Sequence, residues 1–414
     1  LWVFRAPDTQ PEPVKPELLP AAIEGLDAPY IEEIEVDAPR NGIAVRVRLT
    51  HYRRAIDHPK GPAPPLVLIH GYSASGSTYT HRSVPMPMAK FFALQGRDVW
   101  VLDLRTSAGM PSAVLPWHFE DAALADIPVA IARIRAITGA AQVDVFAHCI
   151  GAVMLSMALL TDSSNLERVR KVEPHDKDQP ALREHTAELA ALRGSVRKVV
   201  LSQKGPRLIY SDGNVLRAYL MRVLRKLVLP ADYQFRPARL PGLADQVMDR
   251  VLSSLPYPDA EYDIENPLPF FFWKKTGWAA LRHRMDALYA QDFEARHMDT
   301  DTLESLDHLF GPLNLDTVSQ GGHFARHNTI TNGAGRNEFV TTGRMKALWP
   351  KAGTLSIHGS ANGLADPRTL TEMEKLMTGA GLPYDQMLFK GLGHQDCLVG
   401  KPAQGVFERI EDWL

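Results

Sequence analysis

Two cysteines in 414 residues, Cys149 and Cys397, are too few to knit a disulfide framework. Free thiols in a reducing, cytoplasmic setting are the expectation. A surplus of either charge is also missing. With 46 Lys and Arg against 48 Asp and Glu, the formal net charge is −2, which gives no electrostatic case for nucleic acid or an anionic membrane. No apolar run reaches the ~20 residues that a membrane span takes. The best candidate, "VDVFAHCIGAVMLSMALL" from Val143 to Leu160, is short and carries Asp144 and His148. The opening "LWVFRAPDTQPEPVKPELLP" lacks a basic stretch followed by an apolar one, so it does not read as a secretory leader. It begins with Leu and is rich in proline, the expectation for a processed chain or part of a longer one, with Pro7–Pro20 as a semi-rigid linker. Neither G-x-x-x-x-G-K-[ST] nor G-x-G-x-x-G occurs, which removes the two commonest phosphate-cradling loops.

What the chain does have is alternation. "YIEEIEV" and "GIAVRVRLTHY" read as a hairpin turning at Pro39–Gly42. "PPLVLIHG", "RDVWVLDLR", "QVDVFAH", "RKVVLSQ", "GTLSIHG" and "YDQMLFKGLGH" are short apolar runs that end in Gly, Ser, His or polar residues. Helical segments such as "DAALADIPVAIARIRAIT" lie between them, with apolar residues three and four apart. A hairpin followed by strand–helix repeats predicts a mostly parallel sheet with helices on both faces, and an active site at the carboxyl ends of the strands. Two stretches interrupt the pattern. The charged residues Asn165 to Ser195 read as a solvated helical excursion. Residues 205–349, too long for an unstructured loop, read as a cap insertion with the aromatic stretch "PLPFFFWKKTGW" in its middle.

Three turns carry candidate chemistry. In Ala147-His148-Cys149-Ile150-Gly151 a cysteine sits between a strand and a helix, with small residues two places to either side, as a strained nucleophile elbow requires. The helix dipole and its first N–H groups would favour the thiolate there. In "LVLIHGYSASGS", after an earlier strand, the Tyr72 N–H would complement that of Ile150 in an oxyanion hole, with His70 and Gly71 letting the backbone approach. In "GLGHQDCLVG", His394 follows the last strand, where it could take and return the thiol proton; Asp396 and Cys397 are its neighbours. The third member of the set has two candidates. "HGSANGLADP" has Asn362 where an aspartate would serve, and Asp366 four residues later. Asn362, the preferred reading, would accept the ring N–H of His394 through its side-chain carbonyl; alternatively the loop bulges and presents Asp366.

The order nucleophile, acid, histidine is that of α/β-hydrolases. With "DVWVLDLRTS", "AHCIGA", "VVLSQKGP", "HGSAN" and above all "GHQDCLVGKPA", the chain resembles the α/β-hydrolase modules fused to, or encoded beside, cholesterol-oxidase-like oxidoreductases of the glucose–methanol–choline class. The likeness runs from about Ile31 to Leu414. It implies cysteine as nucleophile and asparagine at the acid position, and a fused or neighbouring flavin oxidoreductase as partner. No cofactor or metal is carried over to this chain. A looser similarity is to polyhydroxyalkanoate synthases, which have aspartate where this chain has Asn362.

The expected layout is therefore a linker over 1–30, an α/β-hydrolase core over 31–204 and 350–414, and a mainly helical cap over 205–349. The expected activity is hydrolysis of an ester, thioester or lactone of an apolar substrate through acyl-Cys149. His148, His70, Phe271 and Trp273 are candidate substrate-binding residues. The competing readings are an acyltransferase or synthase using the same acyl-cysteine, and a non-catalytic lipid-binding or docking module.

Overall fold

The computed structural model describes residues 14–54, 61–170, 183–217, 290–311 and 320–414, with a few single residues and short backbone pieces between 232 and 317. Eight strands form one sheet in the order β1-β2-β4-β3-β5-β6-β9-β10. Their ranges are β1 Tyr30–Arg40, β2 Ile43–Tyr52, β3 Leu66–Ile69, β4 Val99–Asp103, β5 Val143–His148, β6 Val196–Ser202, β9 Thr354–Gly359 and β10 Tyr384–Phe389. A separate two-residue ladder pairs β7, Asp232–Tyr233, with β8, Leu313–Asn314. The hairpin β1–β2 and the β2–β4 pair are antiparallel; every pairing from β4 across to β10 is parallel.

The sequence explains why the middle strands run unbroken in apolar residues. β3, β4, β5 and β9 are buried from end to end, because both faces of the sheet are covered. Side chains alternate between two cores. Leu66, Leu68, Val99, Val101, Phe146 and Val200 face the helices Met88–Leu94 and Ala403–Trp413, packing with Phe92, Phe407 and Ile410. Val67, Ile69, Leu102, Val145, Ala147 and Leu201 face the helices Ile127–Thr138, Ile150–Leu159 and Arg368–Gly379. Ile150–Leu159 is buried on every side, which accounts for its uniformly apolar sequence. Among the described residues no helix is long and apolar enough to cross a membrane.

Three readings of the layout change. The segment that follows residue 13 is not a free linker: Leu18 and Ile23 are buried and Tyr52 donates a hydrogen bond to the Ala21 carbonyl at 3.0 Å. The charged excursion ends in a packed helix, Thr186–Ser195, whose Leu189 and Leu192 join the core; its charges mark one face only. The flanks of the proposed cap also belong to the body. Phe293, Met298, Leu306 and Leu309 pack in one core, and Phe324, Ile330, Phe339 and Trp349 in the other. The aromatic stretch itself, with Phe271 and Trp273, lies outside the described residues.

Candidate active site

The turn between β5 and the helix Ile150–Leu159 is the most constrained point of the chain. Cys149 has φ 54° and ψ −122°, a left-handed conformation that costs a non-glycine residue on the order of 1–3 kcal/mol. It persists because both sides pin it. The Cys149 N–H donates to the Ser202 carbonyl at 2.9 Å, continuing the β5–β6 ladder, and its own carbonyl accepts from Ala152 to start the helix. The small neighbours are needed for close approach. A Cβ on Gly151 would run into the carbonyls of Ile69 and His70, and one on Gly71 would sit 3.1 Å from Cys149 Cβ. The loop bearing Tyr72 therefore abuts the cysteine, and the Ile150 backbone N–H acts to lower the thiol pKa. These are the two amides that the sequence pairs as anion donors. The Tyr72 side chain stands edge-on to Phe119, ring centroids 5.4 Å apart.

His394 is 1% exposed, and its surroundings fix its proton. The Asn362 side chain meets His394 Nδ1 at 3.0 Å through its nitrogen, not its oxygen. Backbone donors settle that polarity. Asn362 Oδ1 is occupied by the N–H groups of Leu364 and Ala365, at 2.8 and 3.1 Å. Asn362 Nδ2 also donates to Gln203 Oε1 at 3.0 Å, and that oxygen accepts the Gly359 N–H. Each amide is oriented by a group that can only donate, so Asn362 presents N–H to the ring and Nδ1 must accept. This reverses the expected bond from the Asn362 carbonyl to a ring N–H. The neutral ring carries its proton on Nε2. Burial holds the His394 pKa well below the ordinary histidine value, and His148, Lys204 and His358 act in the same direction.

Asp366 does not reach the histidine. It accepts the Arg368 N–H at 2.8 Å at the start of the helix Arg368–Gly379 and pairs with the Arg368 guanidinium at 2.9 Å. His70 is likewise withdrawn from any substrate. It is fully buried, with Nδ1 on the Gly71 carbonyl at 2.6 Å and Nε2 accepting from Leu104 at 3.3 Å, so it braces the loop. His148 is buried as well. Its Nδ1 meets Ser202 Oγ at 2.9 Å, its ring centroid lies 4.6 Å from that of His394, and burial pulls its pKa down to about 3. Cys397 is wholly buried with a thiol that burial pushes up to about 12.

Three residues absent from the sequence reading belong to the same cluster. Lys204, 5% exposed, has its Nζ 4.8 Å from the Tyr210 ring centroid, and its charge interacts with Cys149 and Tyr210. Asp292, 3% exposed, exerts a charge interaction on Cys149 and Lys204. Burial raises its carboxyl to about 8, aided by Asp286 and Asp396. Burial also raises the Cys149 thiol, which Lys204 opposes and Asp292 reinforces. The segment holding Asp292 is stapled to the loops that carry Asn362 and His394. Gly363 N–H donates to the Gln291 carbonyl, Gln395 N–H to that of Asp292 and Lys401 N–H to that of His297. Asp396 completes the staple, accepting from Gly393 and Glu294 backbone and meeting His297 Nδ1 at 2.7 Å.

Buried polar atoms without a partner gather here: His148 Nε2, Gln203 Nε2, Asp292 Oδ1, His358 Nε2, His394 Nε2 and Gln395 Oε1. Buried polar groups are ordinarily satisfied, so a concentration of orphans at the carboxyl ends of β5, β6, β9 and β10 marks a place built for something polar.

An eight-stranded, mostly parallel sheet with a left-handed residue at the tip of a strand–helix turn, and a buried histidine on the last loop, defines an α/β-hydrolase-type protein. Residues 64–400 match the model of the alpha/beta hydrolase fold family, and the chain belongs to that family. A search of curated proteins finds no match. Among solved structures the chain is similar to a highly thermostable carboxyl esterase from Bacillus coagulans, at 11% identity and a TM-score of 0.50, over 92% of this chain and 97% of that one. It is also similar to the carboxylesterase CesB from Bacillus subtilis, at 12% identity and TM-score 0.40, over 92% and 91%. A third is an epoxide hydrolase from Vigna radiata, at 12% identity and TM-score 0.44, over 95% and 99%. Likeness at this level of identity speaks to the fold alone.

Proposed function

We propose that the protein hydrolyses an ester, thioester or lactone of an apolar substrate through an acyl-enzyme on Cys149. The observation that carries the reading is the left-handed backbone of Cys149, held between Gly71 and Gly151. Such strain is kept where a side chain must project free of its strand. In this reading the thiolate attacks the acyl carbon and the Tyr72 and Ile150 amides receive the developing oxyanion. The leaving alcohol or thiol departs, and water then cleaves the thioester. His394, oriented by Asn362, supplies Nε2–H as a hydrogen-bond donor beside the reacting atoms. Phe271 and Trp273 remain the candidate residues for binding an apolar acyl or sterol-like group, in the part of the expected cap that lies outside the described residues. The family resemblance adds a flavin oxidoreductase as a fused or neighbouring partner.

The test is intact-protein mass after exposure to a panel of activated esters, for the wild type and Cys149→Ala. A transient acyl adduct on the wild type alone supports the assignment, and turnover by Cys149→Ala overturns it. Adding acceptor alcohols separates hydrolysis from acyl transfer: a hydrolase keeps the same product acid.

A further inference from the structure

We propose that Gln203 is a positioning residue of this site: it holds the Asn362 amide so that one N–H meets Nδ1 of His394, and thereby keeps the ring proton on Nε2. The proposal rests on the reading of Cys149 as nucleophile, which His394 serves.

The Asn362 side chain has four hydrogen-bonding positions, and all four are filled. Its Oδ1 accepts from the Leu364 and Ala365 N–H groups at 2.8 and 3.1 Å. Its Nδ2 donates to Gln203 Oε1 and to His394 Nδ1, both at 3.0 Å. The backbone donors decide which end of the amide is nitrogen. They do not decide where its two N–H groups aim. Gln203 Oε1 takes one of them and so directs the other at the ring. That oxygen is itself anchored, because it accepts the Gly359 N–H at 3.0 Å at the end of β9. The anchor is fixed against the histidine's loop. A Cβ on Gly359 would run into the carbonyls of Leu392 and Gly393, and the Ala361 N–H donates to the Leu392 carbonyl at 2.9 Å.

The backbone of Gln203 is strained to reach this place. Its N–H extends the β6–β9 ladder by donating to the Ile357 carbonyl at 2.8 Å, and the chain then turns with φ 70°. A glutamine is uncomfortable there, where glycine or asparagine sits more easily. Six described non-glycine residues have positive φ, and Asn41 and Asn328 are of the tolerant kind. The other four are Ser73 in the loop after β3, Cys149 at the elbow, Gln203 after β6 and Ala290 at the head of the segment with Asp292. Strain of this sort persists where the surroundings enforce it and gathers at functional sites.

The far end of the Gln203 amide gives the same answer. The residue is 1% exposed, yet its Nε2 has no partner among the described residues. A glutamine kept for packing would satisfy both ends of its amide. This one satisfies only the oxygen that Asn362 and Gly359 use.

The chain Gln203–Asn362–His394 is thus made of neutral groups. A donor facing Nδ1 favours the neutral ring over the imidazolium. His148 on β5, Lys204 after β6 and His358 on β9 act on the ring in the same direction. Asp396, two residues beyond His394, is engaged instead by His297 at 2.7 Å.

The experiment reads the ring nitrogens of His394 in a protein labelled with [15N]histidine, assigned by the signal lost in His394→Ala, together with ester turnover against pH. The wild type should show Nδ1 bare and Nε2 protonated. Gln203→Met removes the oxygen at similar volume. It should give mixed ring tautomers, lower kcat about 10–10²-fold with KM nearly unchanged, and move the acidic limb of the pH–rate profile to higher pH. Gln203→Asn draws the oxygen back by one methylene in a residue that accepts positive φ, and should do the same. Gln203→Glu keeps the oxygen, so it should hold the wild-type tautomer and turn over faster than Gln203→Met. The proposal is overturned if the wild-type ring carries its proton on Nδ1. It is also overturned if Gln203→Met, or Gln203→Asn should the first not fold, leaves the ring spectrum and the pH limb in place while only Tm falls. Gln203→Glu scrambling the tautomer as Gln203→Met does would overturn it equally. Turnover by Cys149→Ala would remove the nucleophile reading alone, since the ring spectra are recorded without substrate.

Discussion

Two buried aspartates at the same end of the sheet have opposite fates. Burial alone would raise the Asp103 carboxyl, but Arg48, His70, Ser107 and the Gly76 amide outweigh it and hold it below the usual range. Arg48 binds it at 2.8 and 3.2 Å and also reaches the Gly109 carbonyl, and no polar side-chain atom of either residue is left over. Asp292 lacks such a clamp. Its carboxyl is raised to about 8, and one oxygen has no partner. A closed network spends its charges on structure. An open one leaves groups at unusual protonation states, which is what chemistry on a substrate needs.

The comparison can be broken by substitution on either side. The largest effect is expected for Cys149→Ala in the open cluster: a loss of at least about 10⁴ in kcat/KM, read from ester hydrolysis, with the fold intact by circular dichroism. In the closed cluster Arg48→Met should cost about 3–5 kcal/mol in urea unfolding, because it strands the buried Asp103 charge. Stability unchanged in Arg48→Met would show that the clamp is not structural. Asn362→Ala should lower kcat about 10–10²-fold with little change in unfolding midpoint, since it frees the ring rather than the core. Asn362→Asp replaces the amide donor by an acceptor. It should raise the His394 pKa and shift the pH–rate limb upward, whereas a rigid ring with no role would leave the profile still.

The smallest effect concerns the pH dependence of stability. Asp292 keeps its proton in the folded state up to about pH 8, while the unfolded chain loses it at the ordinary carboxyl value of about 4. Between those points the unfolded state binds fewer protons, so this residue erodes stability as pH rises and ceases to do so above pH 8. Asp292→Asn should flatten that decline, with a rise in Tm that is larger at pH 8 than at pH 4. An equal shift at both would remove the protonated carboxyl from the account.

The strands were legible because a sheet covered on both faces needs unbroken apolar runs, and β3, β5 and β9 are such runs closed by Gly, His or Cys. The elbow was legible because its demands are local: a strand, a tight turn with small neighbours, a helix. Lys204 was not, although "VVLSQKG" stood in plain view as the end of the strand before the insertion. Its place in the cluster arises only when β6 lies beside β5, and no periodicity records that neighbourhood. Asn362 was recognised but with its bond reversed. The polarity of an amide depends on what its other atom meets, here the N–H groups of Leu364 and Ala365, and that turn is a matter of backbone geometry. The solvated reading of Asn165 to Ser195 failed over the helix Thr186–Ser195 for a simpler reason, since charge on one helix face hid Leu189 and Leu192 on the other.

The staple at Gln291–His297 gives the molecule a mechanical property. Its carbonyls hold the amides of Gly363, Gln395 and Lys401, which flank the loops carrying Asn362 and His394. Lifting that segment by one residue would release the histidine's loop and its orienting partner together. The returning segment Gln291–His297 is thus tied to the ring of His394 through a linkage a few residues long.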